Sequence, residues 1–241
     1  MLTIPILVSL EAPAASLPAI PPVVEQAAHA DANETLGVIV MQRHFTVNAA
    51  AGPLHFNHAD DAILLMTNGE FSRMHFLRME EDGHASSASD LASLDEKTDR
   101  TLQRGDGFFR QPFDQRYLSD YEYTIVPCAC APSVVEVRFT SSLRDNQHGC
   151  GDMRIDEETG HVISLSYTPN VLPPHASSGI VTETFGQALP GLWTILRIES
   201  LYTGHLFFFA GHGTVSEVRD NFHHFTDVAA GVAFYRAQST E

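Results

Sequence analysis

At Gly37 the apolar pattern changes its period. Before it, Pro21-Pro22 opens a stretch in which Val23, Val24, Ala27, Ala28 and Leu36 recur at helical spacing. Proline is tolerated in a first helical turn, where its missing N–H would have no partner, and Gly37 supplies the stop. After Gly37, Ile39, Met41 and Phe45 alternate with Val38, Val40 and His44, which predicts a long strand. Asn68-Gly69 separates Ile63–Met66 from Phe71–Met79. Both turn residues tolerate the positive φ of a two-residue reversal, so this is the strongest hairpin signal in the chain. A helical interval follows, with Ser89 or Asp90 as its cap, Leu91, Leu94 and Leu102 as its apolar stripe, and Glu96, Lys97 and Asp99 on its wet side. Gly105-Asp106-Gly107 ends it. Phe108–Phe113 is irregular but apolar and is expected to pack down onto the sheet.

From Tyr121 onward nearly everything alternates. Tyr121, Tyr123 and Ile125 form one face of a strand, and Val135, Val137 and Phe139 oppose Glu136 and Arg138 in the next. Residues 156–160 (Asp-Glu-Glu-Thr-Gly) read as a turn between Asp152–Ile155 and His161–Tyr167. Further strands are expected at Ile180–Phe185, Leu192–Leu201, Gly204–Ala210 and Thr214–Phe225, with Gly211-His212-Gly213 as a strand-to-strand turn. Regular short strands with turns between them predict an antiparallel meander and not βαβ units. No internal repeat or linker interrupts residues 21–241, which are read as a single mainly β (α+β) domain.

Composition narrows the function classes. With 14 Lys plus Arg against 30 Asp plus Glu, the formal charge is −16. Such a surface cannot replace the counterions of a phosphate backbone, so nucleic acid is excluded as a partner. No apolar run approaches the ~20 residues that cross a bilayer. Leu2–Leu10 is a short apolar run followed by the small-residue stretch 12–19, in the order of a secretory signal. No basic residue precedes it, the first being Arg43. Residues 1–20 are therefore read as a signal-like or disordered leader, and the periplasm or export as the destination.

Candidate chemistry is sparse. The sequence holds no Gly-x-Ser-x-Gly elbow, His-Glu-x-x-His pair or phosphate loop, so no catalytic residue is assigned and the protein is read as non-enzymatic. Neighbours such as His223 and His224 point to opposite faces of a strand and cannot share an ion. The sharpest constellation is Cys128-Ala129-Cys130 with His148-Gly149-Cys150. In an oxidising compartment it predicts a disulfide from Cys150 to Cys128 or Cys130. The alternative is a metal- or thiol-dependent protein, with a Cys₃His zinc site from Cys128, Cys130, Cys150 and His148. No cofactor is assigned.

Large apolar side chains concentrate in the last third. Leu192, Leu196 and Ile198 share one face by alternation, as do Leu206 and Phe208, while Trp193, Ile195, Phe207 and Phe209 occupy the other. A sheet apolar on both sides must cover both, by helices, curvature, a ligand or a partner. An ordinary two-layer core satisfies the same pattern.

Residues 149–167 have the form Gly-x-Gly-x-x-x-Ile-Asp-x-x-Thr-Gly-x-Val-Ile-x-Leu-x-Tyr. A strand ending Phe185-Gly186 follows, and then one beginning Gly191-Leu192-Trp193. With Ile155, Asp156, Thr159 and Gly160, this resembles the second half of the outer-membrane lipoprotein carriers, the LolA/LolB-like group. The resemblance covers Tyr121 to Phe225 and rests on structural motifs; the Cys-x-Cys pair departs from it. It implies a strongly curved antiparallel sheet, a half-open barrel with an N-terminal and an inserted helix, around an apolar cavity for acyl chains. The function it implies is binding of a lipid or lipidated protein in the cell envelope. Face alternation then nominates Val137, Phe139, Ile163, Leu165, Leu196, Ile198, Leu206 and Phe208 as lining residues. A structural interaction module with a filled core is the third alternative.

Overall fold

The reversal at Asn68-Gly69 forms as expected, with φ of 49° and 79° at the two residues. It joins β2 (Leu54–Thr67) to β3 (Glu70–Glu81). The computed structural model describes residues 19–104, 108–206 and 209–239. Most of the leader, the Gly105-Asp106-Gly107 stop, Phe207 and the candidate Phe208 lie outside the described residues.

The N-terminal helix α1 (Pro22–Glu34) leads into β1 (Val38–Ala51), and a short β4 (His84–Ala85) follows β3. Helix α2 (Ala88–Gln103) is the inserted helix. After it come β5 (Glu122–Val126), β6 (Val134–Thr140), β7 (Gly149–Asp156), β8 (Val162–Pro169), β9 (Ala176–Leu189), β10 (Leu192–Leu206), β11 (Phe209–Phe225) and a C-terminal helix α3 (Val228–Gln238). The strands form one eleven-stranded sheet in the order β4-β3-β2-β1-β11-β10-β9-β8-β7-β6-β5. Every pairing is antiparallel. Two meanders are thus stitched together where β1 meets β11. The edge strands β4 and β5 do not pair with each other, so the sheet stays open.

Each helix covers a different part of it. Val24 and Ala27 of α1 enter a core with Val137, Phe139, Met153, Ile155, Leu165 and Phe185. Leu102 of α2 packs with Ile39, Met41, Leu64, Met74 and Phe76. Tyr235 of α3 packs on Val38, Val40, Ile63 and Leu65. β1 is therefore apolar on both faces at its start because α3 takes one and the interior of the curved sheet takes the other. Side chains from β3 and from β9 border a single hollow. A flat sheet would hold these strands far apart, so the sheet must curl around that hollow.

Four expectations need correction. Ser87, not Ser89 or Asp90, caps α2, accepting from the Asp90 backbone N–H while Asp90 returns a bond to the Ser87 N–H. Asp99 does not face water: its Oδ1 accepts from the Met74 N–H at 3.1 Å, and Asp95 accepts from the Phe76 N–H at 2.8 Å. The two carboxylates lie one turn apart and satisfy backbone donors along the free edge of β3, so α2 closes that edge as well as covering it. The stretch 192–206 is one strand, and Gly211-His212-Gly213 runs inside β11, paired with Ala51, Ala50 and Ala49. Glycine at 204 marks close approach and not a turn: a Cβ there would lie 2.0 Å from the His175 carbonyl oxygen. Helix α3 was not expected at all, although Asp227 caps it through the Ala229 and Ala230 N–H groups.

Candidate functional site

Strand registers place one row of side chains across the inner face. Leu165, Glu183, Ile198, Glu217, Phe45, Asp60 and Met79 are successive cross-strand partners from β8 to β3. The row contains three acids, and Glu183, Glu217 and Asp60 are all buried. Beside it, Arg219 of β11 faces Arg43 of β1 directly. Like charges in that relation repel, so something must hold them. Arg43 pairs closely with Asp60 and lies 3.9 Å from Glu217, while the Arg219 Nε–H donates to Glu217 Oε1 at 2.6 Å. His58 Nε2 lies 2.9 Å from the other oxygen of Asp60. Glu183 accepts from Gln111 Nε2 at 2.8 Å and from the Tyr167 hydroxyl at 3.0 Å. Burial raises the Glu183 carboxyl above the usual range, against these two bonds and the Arg219 charge, which favour ionisation.

Above this floor lies a cavity of about 620 Å³. Its apolar wall includes Phe71, Met74, Phe76, Leu102, Val181 and Ile198. The irregular segment after α2 roofs it, as its apolar character predicts. Phe108 stacks on Phe71 at 4.2 Å between centroids, Phe109 on Tyr167 at 3.6 Å, and Phe113 meets Phe185 edge-on at 5.5 Å. The segment is fastened by polar contacts too. Arg116 pairs with Asp114 and Glu70, tying the roof to the β2–β3 turn, and the Tyr123 hydroxyl donates to the Pro112 carbonyl at 2.6 Å. At the rim, burial pushes the Asp31 carboxyl up to about 7, with Asp114 and Glu34 adding to the effect and Arg116 opposing it.

The sequence candidates are distributed unevenly. Ile198 lines the cavity. Val137, Phe139 and Leu165 are fully buried in the solid core beneath α1 and have no surface to offer a guest. Ile163 lies between Val162, which pairs with Ile155, and Ser164, which pairs with Arg154, so it occupies a β-bulge outside the regular alternation. Leu196 lies in a second bulge, with its side chain over Gly186, and does not share a face with Ile198. Leu206 is at the tip of the β10–β11 hairpin, away from the cavity. Period two fails at these bulges because each inserts one residue and turns the following side chains over.

Sequence reasoning passed over the polar floor entirely. Arg43, Glu217 and Arg219 fall within expected strands but drew no assignment of their own. The available signal was their spacing: Glu217 and Arg219 share a face with Val215, which lines the cavity.

The cysteine expectation is overturned in its pairing. Cys128 and Cys130 are bonded to each other, and Cys150 is free and exposed. His148 is not with them; it is buried, with Nδ1 2.8 Å from Asp145 and Nε2 3.2 Å from Asp120. With two thiols consumed and the imidazole held between carboxylates, the Cys₃His constellation does not assemble. Cys128 and Cys130 also lie close to Glu136, but a disulfide offers no thiolate to a metal.

No family model and no curated protein matches this sequence. Several solved structures are similar over most of its length, among them the following three. A DUF1329 family protein from Desulfovibrio piger shares 10% identity over 91% of this chain and 98% of its own, with a TM-score of 0.42. A putative outer membrane lipoprotein-sorting protein domain from Vibrio parahaemolyticus shares 9% over 85% and 91%, at 0.45. A LolA superfamily protein from Nitrosomonas europaea shares 8% over 84% and 92%, at 0.36. At these scores the likeness carries no weight of its own, and the open, curled antiparallel sheet with its helices stands on the strand order and registers above.

Proposed function

We propose that this protein is a non-enzymatic carrier or sensor that holds an acyl chain, or the chain of a lipidated partner, inside the curled sheet. The observation that carries the reading is the cavity of about 620 Å³ between the inner face and the aromatic roof. That volume is in the range of small-molecule sites, which run from about 300 to 1,000 Å³. Each methylene moved from water into such a wall contributes about 0.8 kcal/mol, so a partly enclosed chain is held usefully. No helix of the described residues is long and apolar enough to cross a membrane. The disulfide between Cys128 and Cys130, which suits an oxidising compartment, supports residence in the periplasm or beyond.

The test is a titration of the full chain with phenylnaphthylamine, whose emission rises in apolar surroundings, together with mass spectrometry of lipid co-purified from a bacterial host. Ser200 borders the cavity, and Ser200→Phe fills part of it without entering the solid core. Saturable binding that Ser200→Phe abolishes is expected. Binding indifferent to that substitution, or none in the parent, overturns the reading.

A further inference from the structure

Resting on that reading, we infer that the cavity takes an amphiphile whose oxyanion head, a carboxylate or phosphate, sits on the Arg219 guanidinium at the floor while its tail lies along Phe71 and Phe108. Arg219 is only 4% accessible, yet it lines the hollow. Its Nε–H is committed to Glu217, and both Nη groups lack a hydrogen-bond partner among the described residues. Neither Nη is among the buried atoms without a partner, so both reach the hollow, and a planar fork of this kind matches the two oxygens of a carboxylate or phosphate.

The surrounding acids do not supply the missing acceptor. Asp60 is engaged by Arg43 and His58, Glu217 by the Arg219 Nε and by Arg43, and Glu183 by two neutral donors. Among the charged groups of the floor, the open valence on the cavity side is therefore the Arg219 donors, which an anion satisfies and a cation does not. Gln111, also on the lining, keeps a neutral unpaired acceptor in its buried Oε1. The tail's position follows from the same residue: the Arg219 guanidinium carbon stands 5.0 Å from the centre of the Phe71 ring, and Phe108 stacks on that ring at 4.2 Å between centroids. Charge and grease meet at one point, which suits a molecule with both.

The experiment compares palmitate, methyl palmitate, lysophosphatidate and inorganic phosphate as competitors for phenylnaphthylamine, or by calorimetry for phosphate, on the full chain at neutral pH. Palmitate or lysophosphatidate is expected to bind ~10-fold or more tightly than the ester, the worth of a charge-assisted hydrogen bond. Whichever anionic lipid binds more tightly identifies the oxyanion, and either supports the inference. In Arg219→Gln the preference over the ester collapses while the ester itself still binds; circular dichroism verifies that this variant folds, and the parent's own acid-to-ester ratio decides the matter if it does not. Ester and acid binding equally to the parent overturns the head site and leaves the apolar carrier standing. Phosphate binding as tightly as lysophosphatidate overturns the amphiphile, and failure of every lipid overturns both readings together.

Discussion

Arg43 and Arg219 stand directly opposite each other across β1 and β11, inside the curled sheet. Two cations so placed, Arg219 buried and Arg43 partly buried, are tolerated because Asp60 and Glu217 are held between and beside them. Removing Arg43 alone takes the guanidinium from Asp60, a carboxylate with 3% exposure, and leaves it the contact with His58 Nε2 at 2.9 Å. Arg43→Met is therefore expected to cost about 3–5 kcal/mol in urea unfolding, and Arg43→Met with Asp60→Leu to recover most of it, since it is the unpaired charge that is costly.

Asp31 keeps its proton to about pH 7 when folded but releases it near 3.8 when unfolded. Between those values the folded chain binds the additional proton, so this group's contribution to stability declines as pH climbs through that window and is constant above it. Subtracting the parent's unfolding free energy from that of Asp31→Asn should give a difference that grows from about pH 4 to about pH 7 and then levels off. A flat difference across the window refutes the assignment.

Glu34, at the end of α1, pins the helix to β8 and β10. Its two oxygens take His161 Nε2 at 2.8 Å and the Trp193 backbone N–H at 2.6 Å, and the His161 ring stacks on the indole at 4.6 Å. Glu34→Ala should cost about 1–3 kcal/mol. Because the chain has a single Trp, its emission reports the same event, and an unchanged native spectrum contradicts the pin.

Helix α3 approaches β1 closely at Gly231, where a Cβ would lie 2.6 Å from the Cβ of Val38. Alanine improves helix propensity by about 1 kcal/mol. Here it should nonetheless lower stability by about 1–3 kcal/mol, because the helix must lift off the strand. A rise in melting temperature for Gly231→Ala would show that α3 does not seat there.

Thiol titration checks the cysteine pairing. The unfolded, unreduced chain should show one reactive thiol, Cys150, and the reduced chain three. Cys150→Ser should bring the first value to zero and leave folding intact, whereas a bridge to Cys150 would liberate a new thiol in that variant.

Much of this architecture follows from local chemistry alone. Apolar residues two apart specify a strand wherever one face is buried, and Asn68-Gly69 specifies a reversal because both residues accept positive φ. The change of period at Gly37 likewise separates α1 from β1. Longer-range facts were not legible in this way. Val137 and Ile198 carry the same inward signature, yet one is sealed under α1 and the other borders the hollow. Alternation reports which face a side chain takes; how far the helices reach across that face depends on contacts between residues distant in the chain. The bulges at Ile163 and Leu196 invert the alternation without altering composition. Arg43 and Arg219, 176 positions apart, become partners only when the last strand folds back beside the first, and that closure turns two ordinary surface arginines into the polar floor of a greasy cavity.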